Sequence, residues 1–156
     1  MTVHAARRGA RLAAVQALYQ MEASGASAAE VLEDFAAGRL PRGEAGPLEG
    51  EPDAALFRKL VEGAVEKQEA IDQQIAKRLR NWRLERIDSV ARAILRAGAM
   101  ELWACKETPT PVVIDEYVEI AKAFFEGEEP KFVNAALDAC AKDLRPEETA
   151  PGKSSQ

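Results

Sequence analysis

The sequence has little of what catalytic and metal centres are made from: one histidine, two cysteines and only 6% aromatic residues. The histidine, His4, lies near the N-terminus, and Cys105 and Cys140 form no CxxC pair. No Ser/His/Asp or Cys/His set and no His-based metal cluster can be assembled from them. We therefore expect a non-enzymatic protein with no catalytic residue, no cofactor and no bound metal. Two isolated cysteines indicate buried thiols in a reducing compartment, so we expect a cytoplasmic protein.

Long hydrophobic runs are also missing. No stretch approaches the roughly 18 apolar residues that span a bilayer, and the N-terminus lacks the apolar segment of a signal peptide. We expect neither a membrane span nor a signal peptide. The 156 residues are 47% hydrophobic and 30% charged, as in an ordinary globular domain. Sustained strand alternation is absent and alanine is abundant, which favours helix.

Apolar stripes at helical spacing predict a compact all-α bundle of six or seven helices. The first helix is placed at about 5–22, ended by Gly25, and the second follows Ser27 and Glu30, which have the spacing of a capping box. Residues 38–52 are rich in glycine and proline and predict a long exposed loop.

The second half of the chain continues in the same manner. Asp53 is a plausible N-cap for a stretch that is either one long helix or two with a break near residue 68. Three later helices follow, and the helix signals stop at Pro146. We expect one domain over 1–145, with subdomains at about 5–80 and 81–145, and a disordered tail over 146–156.

The charge distribution is the best indication of function. Arg7, Arg8 and Arg11 precede the first acidic residue, Glu22, in a chain of net charge −5. Such a cationic arm binds nucleic-acid phosphate or is a frayed, solvated terminus. Tyr19 lies eleven residues after Arg8, which places both on one helix side roughly 16 Å apart. The phenol could contact a base, or it could be a half-buried residue at the edge of the core.

Three further features have both a functional and a structural interpretation. Helix geometry points Phe132, next to Lys131, away from the buried stripe, as a base-stacking platform or as a contact to a neighbouring subdomain. The basic segment 77–96 is a second phosphate patch or, as we favour, a solvated face paired with the acidic 22–56 stretch. The carboxylates at Asp115 and Glu116 need no role beyond the helix dipole.

Four blocks in order resemble the transcription antitermination factor NusB family: ARRGARLAAVQALYQ, IDSVARAILRAGAMEL, PVVIDEYVEIAKAF and KFVNAALD. The resemblance covers nearly everything from Ala5 to Leu144 except the Gly/Pro loop. It implies an all-helical fold of two packed three-helix-type subdomains and no catalysis. It also implies binding to the single-stranded boxA element of ribosomal RNA leaders, together with the small ribosomal protein known as NusE. Other Nus factors and RNA polymerase would then be indirect partners.

The resemblance also implies which residues contact RNA. The arginine-rich arm of the family falls on Arg7, Arg8 and Arg11, its tyrosine on Tyr19, and its region before the last helix on Glu128, Lys131 and Phe132. Two other classes of function remain open. The chain could be a protein–protein adaptor or homodimer, or the N-terminal part of a ribosomal RNA cytosine methyltransferase, whose N-terminal domain is NusB-like.

Overall fold

The computed structural model describes residues 2–38, 52–79 and 83–149, and this part of the chain is helical without a β-strand. Seven helices of nine or more residues follow one another: α1 (Val3–Ser24), α2 (Ala28–Ala36), α3 (Ala54–Glu66), α4 (Gln68–Arg78), α5 (Ser89–Ala104), α6 (Thr110–Phe124) and α7 (Glu129–Leu144). A 3-10 turn at Leu84–Arg86 precedes α5, and a single helical turn, Pro146–Thr149, follows α7. The prediction of an all-α bundle of six or seven helices is confirmed.

Most helix ends follow from local sequence. The Ser27 hydroxyl accepts the Glu30 N–H at 3.1 Å and the Glu30 carboxylate accepts the Ser27 N–H at 3.0 Å, which is the predicted capping box. The carboxylates of Asp53 and Asp88 cap α3 and α5 in the same way. A break at Lys67 separates α3 from α4 and selects the two-helix alternative.

Some boundaries differ from those predicted. Helix α1 begins at Val3 because the Thr2 hydroxyl accepts the Ala5 N–H, and it ends where Gly25 adopts a φ of 77°. The prediction of disorder from residue 146 is wrong for Pro146–Thr149, where proline begins a new helical turn. The rest of that tail, most of the predicted 38–52 loop and Trp82 lie outside the described residues.

Helix α5 lies at the centre of the bundle and contacts α1, α3, α4, α6 and α7. Neighbouring helices can approach α5 closely because it is rich in small residues. At Gly98, for example, an added Cβ would lie 2.8 Å from Cδ1 of Leu137 on α7. Buried side chains from all seven helices form one hydrophobic cluster. The division into two subdomains stays a prediction.

Arg145, the residue after α7, connects the C-terminal end of that helix to the centre of the bundle. Its guanidinium is fully buried and donates to the carbonyl oxygens of Leu102, Cys105 and Thr108 at 2.6–2.7 Å. Leu102 belongs to the last turn of α5 and Cys105 is its C-cap, where helix carbonyls have no partner in a following turn. One side chain from 40 residues away therefore caps the central helix.

Candidate nucleic-acid interface

The three arginines of α1 occupy three different environments, and Arg11 is inside the protein. Its side chain is 2% exposed and forms a bidentate pair with Glu101, with the shortest N–O distance at 2.7 Å. Its Nη1 also donates to Glu116 at 3.3 Å, and the Tyr117 hydroxyl donates to Glu101 at 2.8 Å. Arg11 is therefore not available to phosphate in this structure, and we assign it to the core rather than to the cationic arm.

Arg8 is the exposed arginine of the arm. Its side chain is 59% exposed, yet it is bound to Glu116 by two hydrogen bonds of 3.0 and 3.1 Å. Burial alone would raise the pKa of Glu116, but the hydrogen bond from Arg8 and the charges of Arg8 and Arg11 outweigh it, so the pKa is lowered. Glu116 is thus an internal anion shared by a buried and an exposed arginine, a role beyond the helix dipole predicted for it.

Arg7 lies on another side of α1. Its Nη2 donates to the Thr108 hydroxyl at 3.0 Å, and its Nη1 is 3.9 Å from Asp53. About a quarter of the side chain is exposed. These contacts join the start of α1 to the start of α3 and to the turn before α6. The arm is therefore a helix whose arginines are held by the protein, and it is not frayed.

Helices α1 and α6 lie side by side and run in the same direction. Arg8, in the first part of α1, contacts Glu116 in the middle of α6, whereas Tyr19 shares a groove with Phe124 and Phe125 at the C-terminal end of α6. Tyr19 is 41% exposed, so it combines the two interpretations: it is at the edge of the core and open to solvent. Arg8 and Tyr19 are both exposed on this side of the bundle, as the spacing of eleven residues predicts.

The start of α7 carries the second predicted group. The side chains of Glu128 and Lys131 are about 85% exposed and lie 4.0 Å apart. Phe132 is half-buried and packs against the core, so the outward ring expected from helix geometry is only partly exposed. The ring lines a shallow groove of about 220 Å³ together with Glu128, Arg86 and Asp88.

Asp88 joins the two groups. It lines both the groove that contains Tyr19 and the groove that contains Phe132. The two aromatic residues, from opposite ends of the sequence, therefore lie on adjoining stretches of one surface. Arg86 lines the Phe132 groove, Lys131 is next to Phe132 in α7, and Arg8 belongs to α1, the helix that carries Tyr19. The two grooves bring Tyr19, Glu128 and Phe132 together through Asp88, whereas Arg7 faces Asp53 and Arg11 is buried.

Within the described part of the basic segment 77–96, three arginines form ion pairs, and two of them pair with the acidic 22–56 stretch as we favoured. Arg92 and Arg96 both pair with Glu22, which belongs to the acidic 22–56 stretch, and Arg96 also pairs with Asp72 at 2.8 Å. Arg86 differs because it is exposed and lines the Phe132 groove. No sequence pattern separates Arg86 from its neighbours, because the 3-10 turn before α5 is what directs it to this groove.

The described residues contain no group of His, Cys, Asp and Glu side chains that could hold a metal ion. None of their helices is both long and apolar enough to cross a membrane. Both cysteines are buried free thiols, and burial raises the pKa of Cys140 to about 11, as expected for an unreactive thiol. The exposed cations, rings and shallow grooves suit an extended polyanion better than a small molecule.

Fold and surface together define a helical, nucleic-acid-binding class of protein. The sequence model described as "NusB family" matches residues 8–142, and the chain belongs to the NusB family. The chain is 55% identical over 140 residues to the transcription antitermination protein NusB of Caulobacter vibrioides, covering 89% of this chain and 94% of that protein. It is 51% identical over 143 residues to that of Maricaulis maris, covering 91% and 89%. The family consists of non-enzymatic antitermination factors.

Solved structures give the same result. The chain is similar to NusB of T. maritima with a TM-score of 0.75 and 34% identity, over 91% of this chain and 94% of that one. It is also similar to a chain in a crystal structure of the antitermination factors NusB and NusE in complex with double-stranded RNA. There the TM-score is 0.73 and the identity 28%, over 88% and 96% of the two chains.

Proposed function

We propose that this protein binds the single-stranded boxA element of ribosomal RNA leader transcripts together with NusE. In that complex it would join the other Nus factors on RNA polymerase in the cytoplasm and suppress premature termination. The observation that carries the proposal is the shared position of Asp88, which makes the Tyr19 and Phe132 grooves one surface. The solved complex of a 28% identical relative with NusE and double-stranded RNA supports NusE and RNA as the classes of partner.

In this proposal exposed cations neutralise phosphates and exposed rings contact unstacked bases. Arg8, Arg86 and Lys131 are the cations of this surface, and Tyr19 and Phe132 are its rings. Glu128, beside Lys131, accepts hydrogen bonds from base amino groups. Arg7 and Arg11 act indirectly, because they fix the position of α1 from which Arg8 and Tyr19 project.

The ion pair of Arg8 is a reason to expect weak RNA binding by the protein alone. A phosphate that binds Arg8 must replace the Glu116 carboxylate, which already makes two hydrogen bonds to the guanidinium. The exchange replaces one anionic partner by another, so the net gain in free energy is small. We therefore expect the protein alone to bind RNA weakly and with marked salt dependence, and NusE to add the remaining contacts.

The test is a titration of boxA-like and scrambled single-stranded RNA by fluorescence anisotropy, with and without NusE, over a series of salt concentrations. Arg8→Ala and Lys131→Ala should each reduce the slope of log K against log salt by about 0.7, the value for one phosphate of a single strand. Lys59→Ala, which removes an exposed lysine of α3 outside both grooves, serves as the control and should leave the slope unchanged.

An unchanged slope in both variants would remove this surface from RNA binding. Size-exclusion chromatography of the same samples tests the alternative of a homodimer or protein adaptor. A dimer that is indifferent to RNA would favour that alternative over the proposed function.

A further inference from the structure

The groove between the ends of α1 and α6 has an uncharged lining apart from one residue. Its volume is about 510 Å³. It is lined by Val15, Gln16, Tyr19, Gln20, Ala23, Ser24, Asp88, Val90, Phe124 and Phe125. The Asp88 carboxylate already accepts the N–H of Val90 at 2.7 Å. With no lysine or arginine among the described residues of its lining, the groove does not suit a phosphate; it suits a flat, uncharged, partly apolar group.

Gln16 is the unusual residue of this lining. The residue is 8% exposed, and both polar atoms of its amide are buried without a hydrogen-bond partner in the part of the chain that the structure describes. The amide oxygen of Gln20, one helical turn further along α1, is also buried without a hydrogen-bond partner among the described residues. Buried polar groups in proteins are nearly always paired, because an unpaired one loses its water without compensation. The amide of Gln16 therefore calls for a ligand that offers a donor and an acceptor side by side.

We infer that this groove receives one unpaired base of the bound RNA, with adenine preferred, and that Gln16 is the residue that recognises it. The inference rests on the proposed function and adds a specificity site to it. A glutamine amide pairs with adenine through the amino group N6 and the ring nitrogen N7, a donor next to an acceptor. Adenine offers the same pair again on its Watson–Crick edge, through N6 and N1. Among the four bases only adenine presents this pair of groups on both edges.

The aromatic residues around Gln16 support a base as the occupant. Tyr19 is 41% exposed at the mouth of the groove, and Phe124 and Phe125 are half-buried in its wall. Rings in this position stack on a base, which every base permits because each has a π-face. Because the amide of Gln16 is covered, side chains of the lining around it have to turn aside for the base to enter. Rotamer changes of this size are common at interfaces.

The position of the groove fits an RNA strand. Arg8 lies on the same helix, and the Phe132 groove adjoins it through Asp88. A strand whose phosphates meet Arg8 and Lys131 would pass over the groove between them. The base inserted there would be read, whereas the contacts to phosphate are independent of sequence.

The experiment compares the affinities of wild type and Gln16→Leu for oligo(A), oligo(C) and oligo(U) of about twelve nucleotides, measured by anisotropy at low salt. Wild type should prefer oligo(A), and Gln16→Leu should lose about tenfold in affinity for oligo(A) while changing by less than about twofold on oligo(U). Gln68→Leu, an exposed glutamine of α4, is the matched control and should behave as wild type. Circular dichroism confirms that each variant is folded.

Several outcomes overturn the inference. Equal affinity of wild type and Gln16→Leu for oligo(A), or an equal loss on all three oligonucleotides, would remove Gln16 from base recognition. A loss of NusE binding with unchanged RNA binding would make the groove a protein contact. If Gln16→Leu does not fold, Gln20→Ala replaces it and should lose about threefold on oligo(A), and no loss overturns the inference. Wild type that binds no single-stranded RNA, boxA-like or otherwise, refutes the proposed function itself and the inference with it.

Discussion

Replacing Arg11 by alanine should lower the free energy of unfolding without removing a contact to RNA. The guanidinium makes four hydrogen bonds, three to Glu101 and one to Glu116. Its removal leaves the fully buried Glu101 carboxylate with a hydrogen bond from the Tyr117 hydroxyl at 2.8 Å and without its cationic partner. Removing one partner of a buried ion pair costs about 3–5 kcal/mol, because the other charge stays buried without compensation.

The assay is thermal and urea unfolding followed by circular dichroism. For a chain of this size 1 kcal/mol corresponds to about 2–4 °C in Tm, so Arg11→Ala should lower Tm by about 6–20 °C. The double variant Arg11→Met with Glu101→Gln should recover most of this loss, because it removes both buried charges and keeps an acceptor for the Tyr117 hydroxyl.

The salt dependence of RNA binding separates the core role from a phosphate contact. The folded double variant should keep the wild-type slope, whereas Arg8→Ala should keep the wild-type stability to within about 1 kcal/mol and lose slope. A loss of less than about 1 kcal/mol in Arg11→Ala would refute the assignment of Arg11 to the core. So would a double variant as unstable as the single one, or a double variant with a reduced salt slope.

Three substitutions test the packing and the ion pairs of the bundle. The hydrogen bond from Arg78 holds the pKa of Asp143 down to about 2, below its ordinary 3.8, so this carboxylate stabilises the fold above about pH 4 and the effect disappears as the pH falls through 2. Asp143→Asn should therefore be less stable than wild type in urea at pH 6 and equal to it near pH 2; a constant difference would contradict the pairing. Gly98→Ala should lose about 1–3 kcal/mol, because its Cβ would lie 2.8 Å from Leu137 in the packed core. Gly63→Ala should stay within about 1 kcal/mol of wild type, because its Cβ meets only the flexible end of a methionine and alanine favours helix; equal losses in the two glycine variants would refute this packing argument.

The helices could be predicted well because their signals are local. Ser27 with Glu30 and Asp53 are caps whose partners lie three residues away, so spacing alone is sufficient. The burial of Arg11 also agrees with helical spacing, since Arg11 lies three, four and seven residues before the apolar Ala14, Val15 and Leu18 of the same helix. Its charge and its neighbours Arg7 and Arg8 instead favour an exposed cationic arm, so the two signals conflict at this residue.

The parts of the surface that depend on distant residues could not be predicted. Glu116 and Glu101 reach α1 across about 100 residues, and no spacing rule connects them to Arg8 or Arg11. The same holds for Asp88, which joins two grooves only because α5 starts between the C-terminal end of α1 and the N-terminal end of α7. The half-buried state of Phe132 depends on the packing of α7 against the core, which helix geometry alone does not contain.

The capping of α5 by Arg145 affects how the chain folds during its synthesis. The carbonyl of Leu102 accepts its hydrogen bond from Arg145, which lies 43 residues further along the chain and is synthesised later. At about 5–20 residues per second, translation needs roughly 2–9 s to supply it. Throughout that interval the middle helix has an open end, and a nascent chain that stops short of Arg145 never closes it.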